Sequence, residues 1–438
     1  MSDYDELVAR LSALAQPTSA TDGDSAGLWH QVGADDAMPA YGWKLHISAG
    51  LDNAAEVLQA AYPVLKSERM TFKYARSLEV LANLNAGWFG IVQVGKMITA
   101  YPGDEESLVS VAGQLHQRLE HQTGPRPLSD RQVPGSSCLS YRYGSLRSDS
   151  VELPDERMPG CAVPRDRADP FAVSAISPDG STESPPLLCG RFLVTGLIRQ
   201  RGKGGVYRAI DYGGGALGSN PPIECVLKEA RRFGERDAAG VDAWDRLARQ
   251  VRVLQSMEAY PAFARIVTVA QSGDSRFLAM RSLPCSSSVL DVAASDERLS
   301  AQDIVGLCDQ VHDRIVLPLS RRGVAWNDLS ADNVLVSQEG RVYCADVEEA
   351  TSPEAARLIL GTPGYSSAKV PPCTVLSDVY ALLRLAVLLD NRRWYALVRS
   401  GDGGALHRPV LDRSGGVHRW CLNMAAEYGI DREDIFSD

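Results

Sequence analysis

Two sets of residues in this chain have the types and spacing for chemistry. The first opens in Gly42-Trp-Lys-Leu-His-Ile-Ser-Ala, where alternation along a strand projects Lys44 and His46 from one face and turns Trp43, Leu45 and Ile47 to the core. Further cations follow in strand-like or turn-adjacent settings: Lys73 in Thr-Phe-Lys-Tyr, Lys96 in Val-Gly-Lys-Met-Ile-Thr, Arg131 in Leu-Ser-Asp-Arg and Arg142 in Tyr-Arg-Tyr-Gly. Gathered in one pocket they would hold a dianion, and the forked donors of Arg suit a phosphate. Taken singly, each Lys or Arg also reads as a solvated edge residue, and His46 as a structural histidine.

The second set lies in Val324-Ala-Trp-Asn-Asp-Leu-Ser-Ala-Asp-Asn-Val-Leu-Val, which holds Asp328 and Asn333. Residues 334–346 read as two short strands around a Gly-containing turn, so Asn333 and Asp346 come to the same end of a hairpin. Two oxygen ligands converging there suit a magnesium ion whose remaining ligands are water and substrate phosphates. Upstream, Lys228 stands late in the apolar run Ile223-Glu-Cys-Val-Leu-Lys, and Arg199-Gln-Arg-Gly-Lys-Gly-Gly-Val-Tyr supplies Gly202, Gly204, Gly205 and Val206. The same letters would also fit a polar loop and hairpin of an unrelated α/β domain.

In their order, the Lys-x-His strand, Phe-Lys, Gly-Lys-x-Ile-Thr-x-Tyr-Pro, Ser-Asp-Arg and Tyr-Arg-Tyr-Gly elements resemble the lyase domains of lanthipeptide synthetases, which are themselves similar to the phosphothreonine lyases of bacterial effectors. The resemblance covers residues 28–146. It implies that Lys73 is the base, Lys44 the enolate stabiliser and His46 the acid, with Lys96, Arg131 and Arg142 on the phosphate. Eliminating phosphate from phosphoserine or phosphothreonine needs those three roles, because the α-proton is weakly acidic and the departing phosphate needs a proton. A Lys serves as base near neutral pH only with a lowered pKa, which neighbouring cations favour. No metal or organic cofactor is required for this step.

The Asp-Leu-x-x-x-Asn pattern, the hairpin, Gly361-Thr-Pro-Gly-Tyr and Ser377-Asp-Val-Tyr together resemble a protein kinase over residues 190–400. The resemblance implies Asp328 as catalytic base, Asn333 and Asp346 on Mg2+, and Asp378 as a structural aspartate. It also implies that Lys228, Gln250 and the glycine-rich turn meet ATP or GTP. Several positions depart from the pattern. Trp326 and Asn327 replace His-Arg, Ser330 replaces the downstream Lys, and Val347-Glu348 replaces Phe-Gly. Arg199 and Arg201 stand where Gly is usual, and Gln250 stands for a Glu, so it offers a hydrogen bond without charge. Activation-loop phosphorylation is therefore not expected as a switch, and a pseudokinase stays open. Gly213-Gly-Gly-Ala-Leu-Gly218 has the letters of a dinucleotide fingerprint, but Pro221-Pro222 and a strand follow it, so it reads as a loop between strands.

These residues need two mixed scaffolds, and the fold class is read as α+β: a phosphothreonine-lyase-like domain at 1–175, a linker at 176–189 and a two-lobed protein-kinase-like domain at 190–438. Apolar spacing predicts helices at Ala54–Tyr62 and Asp104–Leu119, and another carrying Val241, Trp244, Leu247, Val251 and Leu254. From Arg147 to Pro186 the composition shifts to Pro, Ser, Asp and Arg. Leu7, Leu11 and Leu14 form a stripe for core packing or for a leader peptide.

The 438 residues carry 45% hydrophobic and 23% charged content, enough for two cores. A net charge of -10 argues against nucleic acid as partner. The acidic N-terminus is no signal peptide, and Ala381–Leu389, interrupted by Arg384, is too short for a membrane, so a cytoplasmic location is expected. Nine Cys without CxxC pairs suit a reducing compartment, and no Cys/His cluster suggests a zinc cyclase.

Jointly, the two resemblances point to a class III lanthipeptide synthetase with its lyase and kinase domains and without its cyclase domain, the tail from His407 being too short for one. The expected activity phosphorylates Ser or Thr of a ribosomal precursor peptide, with leader and core, and then expels phosphate to give dehydroalanine or dehydrobutyrine. A separate cyclase or a peptide decarboxylase is the expected further partner. The alternatives are a phospho-Ser/Thr lyase with a pseudokinase scaffold and a regulatory lyase acting on folded phosphoproteins.

Overall fold

The computed structural model describes residues 2–14, 27–33, 38–147, 161–164, 166–171, 187–213, 221–285, 287–295, 299–352, 364–367, 369–391, 394–395 and 415–436. The chain divides into two compact units. The first comprises Met1–Pro222, Leu227–Asp245 and Ala270–Phe277, and the second Ile223–Val226, Arg246–Val269 and Leu278–Asp438. The first unit thus extends past the 176–189 stretch, of which 176–186 lies outside the described residues.

The first unit is built on a six-stranded sheet of β1 (Trp29–Val32), β2 (Tyr41–Ile47), β3 (Thr71–Ala75), β4 (Ile98–Tyr101), β5 (Arg131–Gln132) and β6 (Leu139–Ser145), in the order β1-β3-β4-β2-β6-β5. Its neighbours pair antiparallel. Helices α1 (Asp3–Leu14), α2 (Ala54–Ser67), α3 (Leu78–Ala86) and α4 (Glu105–Arg118) accompany it. In α2, Ala54, Val57, Leu58, Ala61, Val64 and Leu65 are buried at three- and four-residue spacing, which makes one apolar stripe. That stripe shares a core with Leu45, Ile47, Phe72, Tyr74, Ile98, Ala100, Leu139 and Tyr141 from one face of the sheet, and with Leu7 and Val8 of α1. Asp104 caps α4 by accepting from Ser107 N at 2.8 Å. Ser77 caps α3, and Gly87, at φ 81°, closes it in the left-handed conformation that glycine adopts without strain.

Further along the chain, β7 (Phe192–Arg201), β8 (Gly204–Asp211), β9 (Ile223–Arg231), β10 (Ile266–Ser272) and β11 (Ser275–Arg281) form a sheet of order β10-β11-β9-β8-β7, and helix α5 (Ala243–Ser256) lies between β9 and β10 in sequence. Arg201 pairs with Gly204 across the two-residue turn Gly202-Lys203. Of the Gly213–Gly218 run, residues 214–218 lie outside the described residues.

In the second unit the hairpin expected at residues 333–346 is present. Its strands, Val334–Val336 and Val342–Cys344, pair Val334 with Cys344, and Ser287–Ser288 adds a third strand. The helix Val375–Asp390 is buried along its length from Asp378 to Leu389, Arg384 included. Arg384 is accommodated because its guanidinium donates to the carbonyls of Gly364 and Ile435 at 2.9 and 3.0 Å. Among the described residues no helix is long and apolar enough to cross a membrane.

Candidate active site

Strand register decides which of the cations meet. Across β2, β4, β6 and β3, Lys44 stands opposite Arg142, His46 opposite Ser140 and Thr99, and Lys73 opposite Thr99. Directly opposed residues share a face, so Lys44, His46, Lys73 and Arg142 all project from the face that the apolar core does not use. Trp43, Leu45 and Tyr141 fill the other.

His46 is 2% exposed, and its Nδ1 lies 2.5 Å from Asp130 Oδ2. The Ser129 hydroxyl donates to the other Asp130 oxygen at 2.8 Å, and Arg142 Nη1 donates to that hydroxyl at 3.3 Å. A continuous polar chain therefore runs from His46 through Asp130 and Ser129 to Arg142. Burial lowers the His46 pKa to about 4; Asp130 opposes that shift, while the charges of Lys96 and Lys44 reinforce it. Burial alone would raise the Asp130 carboxyl, but His46, Lys96 and the Ser129 hydroxyl hold it well below the usual carboxylate range. Lys96 is itself buried, directly after Gly95. Lys73 Nζ lies over the ring of Trp29, 4.7 Å from its centroid.

Arg131 is not brought to this face. It pairs with Tyr141 in register and so projects with the core-side residues. Its guanidinium meets Asp169, which also accepts from the Tyr141 hydroxyl at 2.6 Å and from Phe171 N at 3.0 Å. The tripeptide Ser129-Asp130-Arg131 thus contributes its first two residues to the cluster. Asp130 precedes the two-residue β5, so no strand alternation in the sequence assigned it to this face. Trp29 carried no signal either, being far from Lys73 in sequence.

The nucleotide-related residues fall in both units. In the first, Gly204 has φ 149° with the Glu229 carbonyl where a Cβ would stand, and Gly205 N donates to Glu229 Oε2 at 3.0 Å. Gly202 sits in the turn, Val206 pairs with Arg199, and Lys228 is buried in β9.

In the second unit, Asp378 accepts from Trp326 N at 2.6 Å and Asn327 N at 2.8 Å, fixing a loop in which Asn327 has φ 65°. Burial raises the Asp378 pKa to about 7, against the lowering effect of those two bonds. Trp326 Nε1 donates to Asp346 O at 2.7 Å, and Asn333 Nδ2 donates to Asp328 O at 2.9 Å and Asp328 Oδ2 at 2.7 Å. Ala345 N donates to Asn333 O at 2.9 Å, which ties the Asp346 end of the hairpin to Asn333. Gln250 is 1% exposed, and its Oε1 has no hydrogen-bond partner among the described residues. Of the Gly361-Thr-Pro-Gly-Tyr motif, residues 361–363 lie outside the described residues; Tyr365 OH accepts from Ala331 N at 3.3 Å.

Residues 11–174 match the family described as RamC, N-terminal domain. A probable SapB synthase of Streptomyces coelicolor is 30% identical over 389 residues, which cover 81% of this chain and 40% of that relative. The chain therefore spans less than half the length of the curated relative it matches, and the resemblance to class III lanthipeptide synthetases read from the motifs is borne out, with a RamC-type N-terminal domain at residues 11–174.

Proposed function

We propose that the chain is a lanthipeptide-type dehydratase, which phosphorylates Ser or Thr of a ribosomal precursor peptide and then eliminates the phosphate. The observation that carries this reading is the gathering of Lys44, His46, Lys73 and Arg142 on one polar sheet face, with His46 held by Asp130. Its similarity to a probable SapB synthase supports a place in lanthipeptide biosynthesis.

In the elimination, Lys73 takes the α-proton, and the electron pair forms the Cα–Cβ double bond as the Cβ–O bond breaks. Lys44 steadies the negative charge that develops on the carbonyl oxygen, and His46 gives a proton to the departing phosphate, which Arg142 and Lys96 hold. Arg131 belongs to this set only if it leaves Asp169.

For the phosphorylation, Asp328 accepts the proton of the substrate hydroxyl. The Asp346 carboxylate and the Asn333 amide oxygen are hard oxygen donors of the kind magnesium takes, and the buried Gln250 Oε1 is an acceptor without a hydrogen-bond partner among the described residues. Asn333 and Asp346 would hold Mg2+, and Gly202, Gly204, Gly205, Val206, Lys228 and Gln250 the ATP or GTP. Bound magnesium nucleotide supplies the phosphoryl group and neutralises its charge.

The test is mass spectrometry of a Ser-containing precursor peptide incubated with the protein, Mg2+ and ATP or GTP. Loss of water with wild type, a phosphate adduct with Lys73→Ala and no change with Asp328→Asn are expected; dehydration that survives Asp328→Asn overturns the kinase assignment. The uncharged Gln250 favours a second reading, a phospho-Ser/Thr lyase on a kinase-like scaffold. A reaction seen only when phosphopeptide is supplied would establish it.

A further inference from the structure

The turn between β7 and β8 is packed against the phosphate-binding half of the first unit. Gly202 N donates to Ala86 O at 3.2 Å, one of the carbonyls at the end of α3 that no residue of the helix can satisfy. A Cβ at Gly202 would overlap the Asn85 carbonyl oxygen, so the approach requires glycine. Beside it, the Arg201 guanidinium lies 4.7 Å from the ring centroid of Trp88. A second contact backs the first: Leu51 N donates to Arg236 O at 3.1 Å, and the Arg236 guanidinium meets Asp52 and Thr123.

Asn85 stands where this contact meets the cation cluster. It is 2% exposed; its Nδ2 donates to Ala49 O at 3.0 Å and its Oδ1 accepts from Gly95 N at 3.4 Å. Gly95 immediately precedes Lys96, and Ala49 lies three residues beyond His46. One amide side chain therefore holds the backbone just before Lys96 and just after β2, which carries His46, while the Asn85 backbone carbonyl faces Gly202.

We propose that Asn85 is a positioning residue of the elimination site and that the docked Arg201–Lys203 turn sets its position, so that the β7–β8 hairpin and the phosphate pocket are energetically coupled. This rests on the reading that the Lys44–His46 face takes phosphate. Coupling of this kind is reciprocal: phosphate in the pocket tightens the turn, and displacing the turn weakens phosphate.

The experiment uses the full chain and three variants, Asn85→Ala, Gly202→Ala and Trp88→Ala. Its readouts are affinity for inorganic phosphate, KM and kcat on a synthetic phosphoserine peptide, and amide hydrogen exchange across residues 91–96. Asn85→Ala and Gly202→Ala are expected to weaken phosphate and raise the peptide KM by about tenfold, within the usual span of coupling energies, and to speed exchange at 91–96. Trp88 is 66% exposed, so Trp88→Ala folds even if Gly202→Ala does not, and it is expected to shift the same readouts in the same direction by less. Phosphate affinity and exchange at wild-type values in all folded variants overturn the coupling. Wild type that binds phosphate but eliminates none removes the proposed activity instead, and leaves the coupling to be decided by affinity and exchange.

Discussion

Asp130 governs what His46 can do. Its carboxylate on Nδ1 fixes the ring and its tautomer, which assigns proton exchange with a substrate to Nε2. In the free protein His46 is neutral at pH 7, because burial and the charges of Lys96 and Lys44 outweigh Asp130. A phosphate dianion bound beside those lysines would offset them and raise the His46 pKa, so the proposed acid would be loaded by its proposed substrate. Binding of inorganic phosphate near pH 6.5 should therefore take up a proton, seen by calorimetry in two buffers of different ionisation enthalpy; uptake no greater than phosphate's own titration predicts would contradict this. Asp130→Asn keeps an acceptor but removes the charge, and kcat for elimination should fall by about 100-fold or more with a smaller change in KM. The same depressed pKa gives an acid limit to folding. The unfolded histidine takes up its proton near pH 6.5 and the folded one only near pH 4, so the contribution of His46 to stability is present above pH 6.5 and lost as pH falls through 4. His46→Gln should flatten that limb of a melting-temperature profile.

At the scale of elements, the loop Ala325–Asn333 depends on one buried carboxylate. Asp378 satisfies the backbone amides of Trp326 and Asn327, and Asn327 has a left-handed backbone that few side chains favour. Asp378→Ala leaves both amides buried without an acceptor, which should cost about 2–5 kcal/mol and abolish phosphorylation, while elimination from a supplied phosphopeptide continues. The Asp378 pKa is raised, so its stabilising contribution is complete below pH 3.8 and disappears as pH rises through 7; Asp378→Asn should remove that dependence from a denaturant titration. Elements of this sort were legible in the sequence wherever a period or a turn declared them. The Lys-x-His alternation put Lys44 and His46 on one face, and the Gly-containing hairpin at 333–346 formed at the expected residues. Arg131 escaped because a two-residue strand has no periodicity to read, so a single step of register decides between the polar Lys44–His46 face and Asp169. The docking of Gly202 on Asn85 and Ala86 was illegible for a different reason: the glycine reads as part of a nucleotide loop, and only the fold shows what its missing Cβ makes room for.

For the molecule as a whole, the two proposed reactions draw on catalytic residues that belong to different units. The proposed base, acid and phosphate ligands lie between residues 44 and 142 in the first unit, and Asp328, Asn333 and Asp346 lie in the second. Asp328→Asn therefore alters no group that the elimination uses, and Lys73→Ala alters none that phosphorylates. A phosphopeptide, the intermediate this reading requires, is a stable ester, free to leave one chain and enter another. A mixture of the two inactive variants should restore dehydration of a precursor peptide, after a lag while phosphopeptide from the Lys73→Ala protein accumulates and reaches the intact pocket of the Asp328→Asn protein. The lag should shorten in proportion to the concentration of the Asp328→Asn protein, since capture in trans is bimolecular. Phosphopeptide that accumulates without dehydration, although the Asp328→Asn protein converts synthetic phosphopeptide, would mean that the intermediate passes within one chain before release.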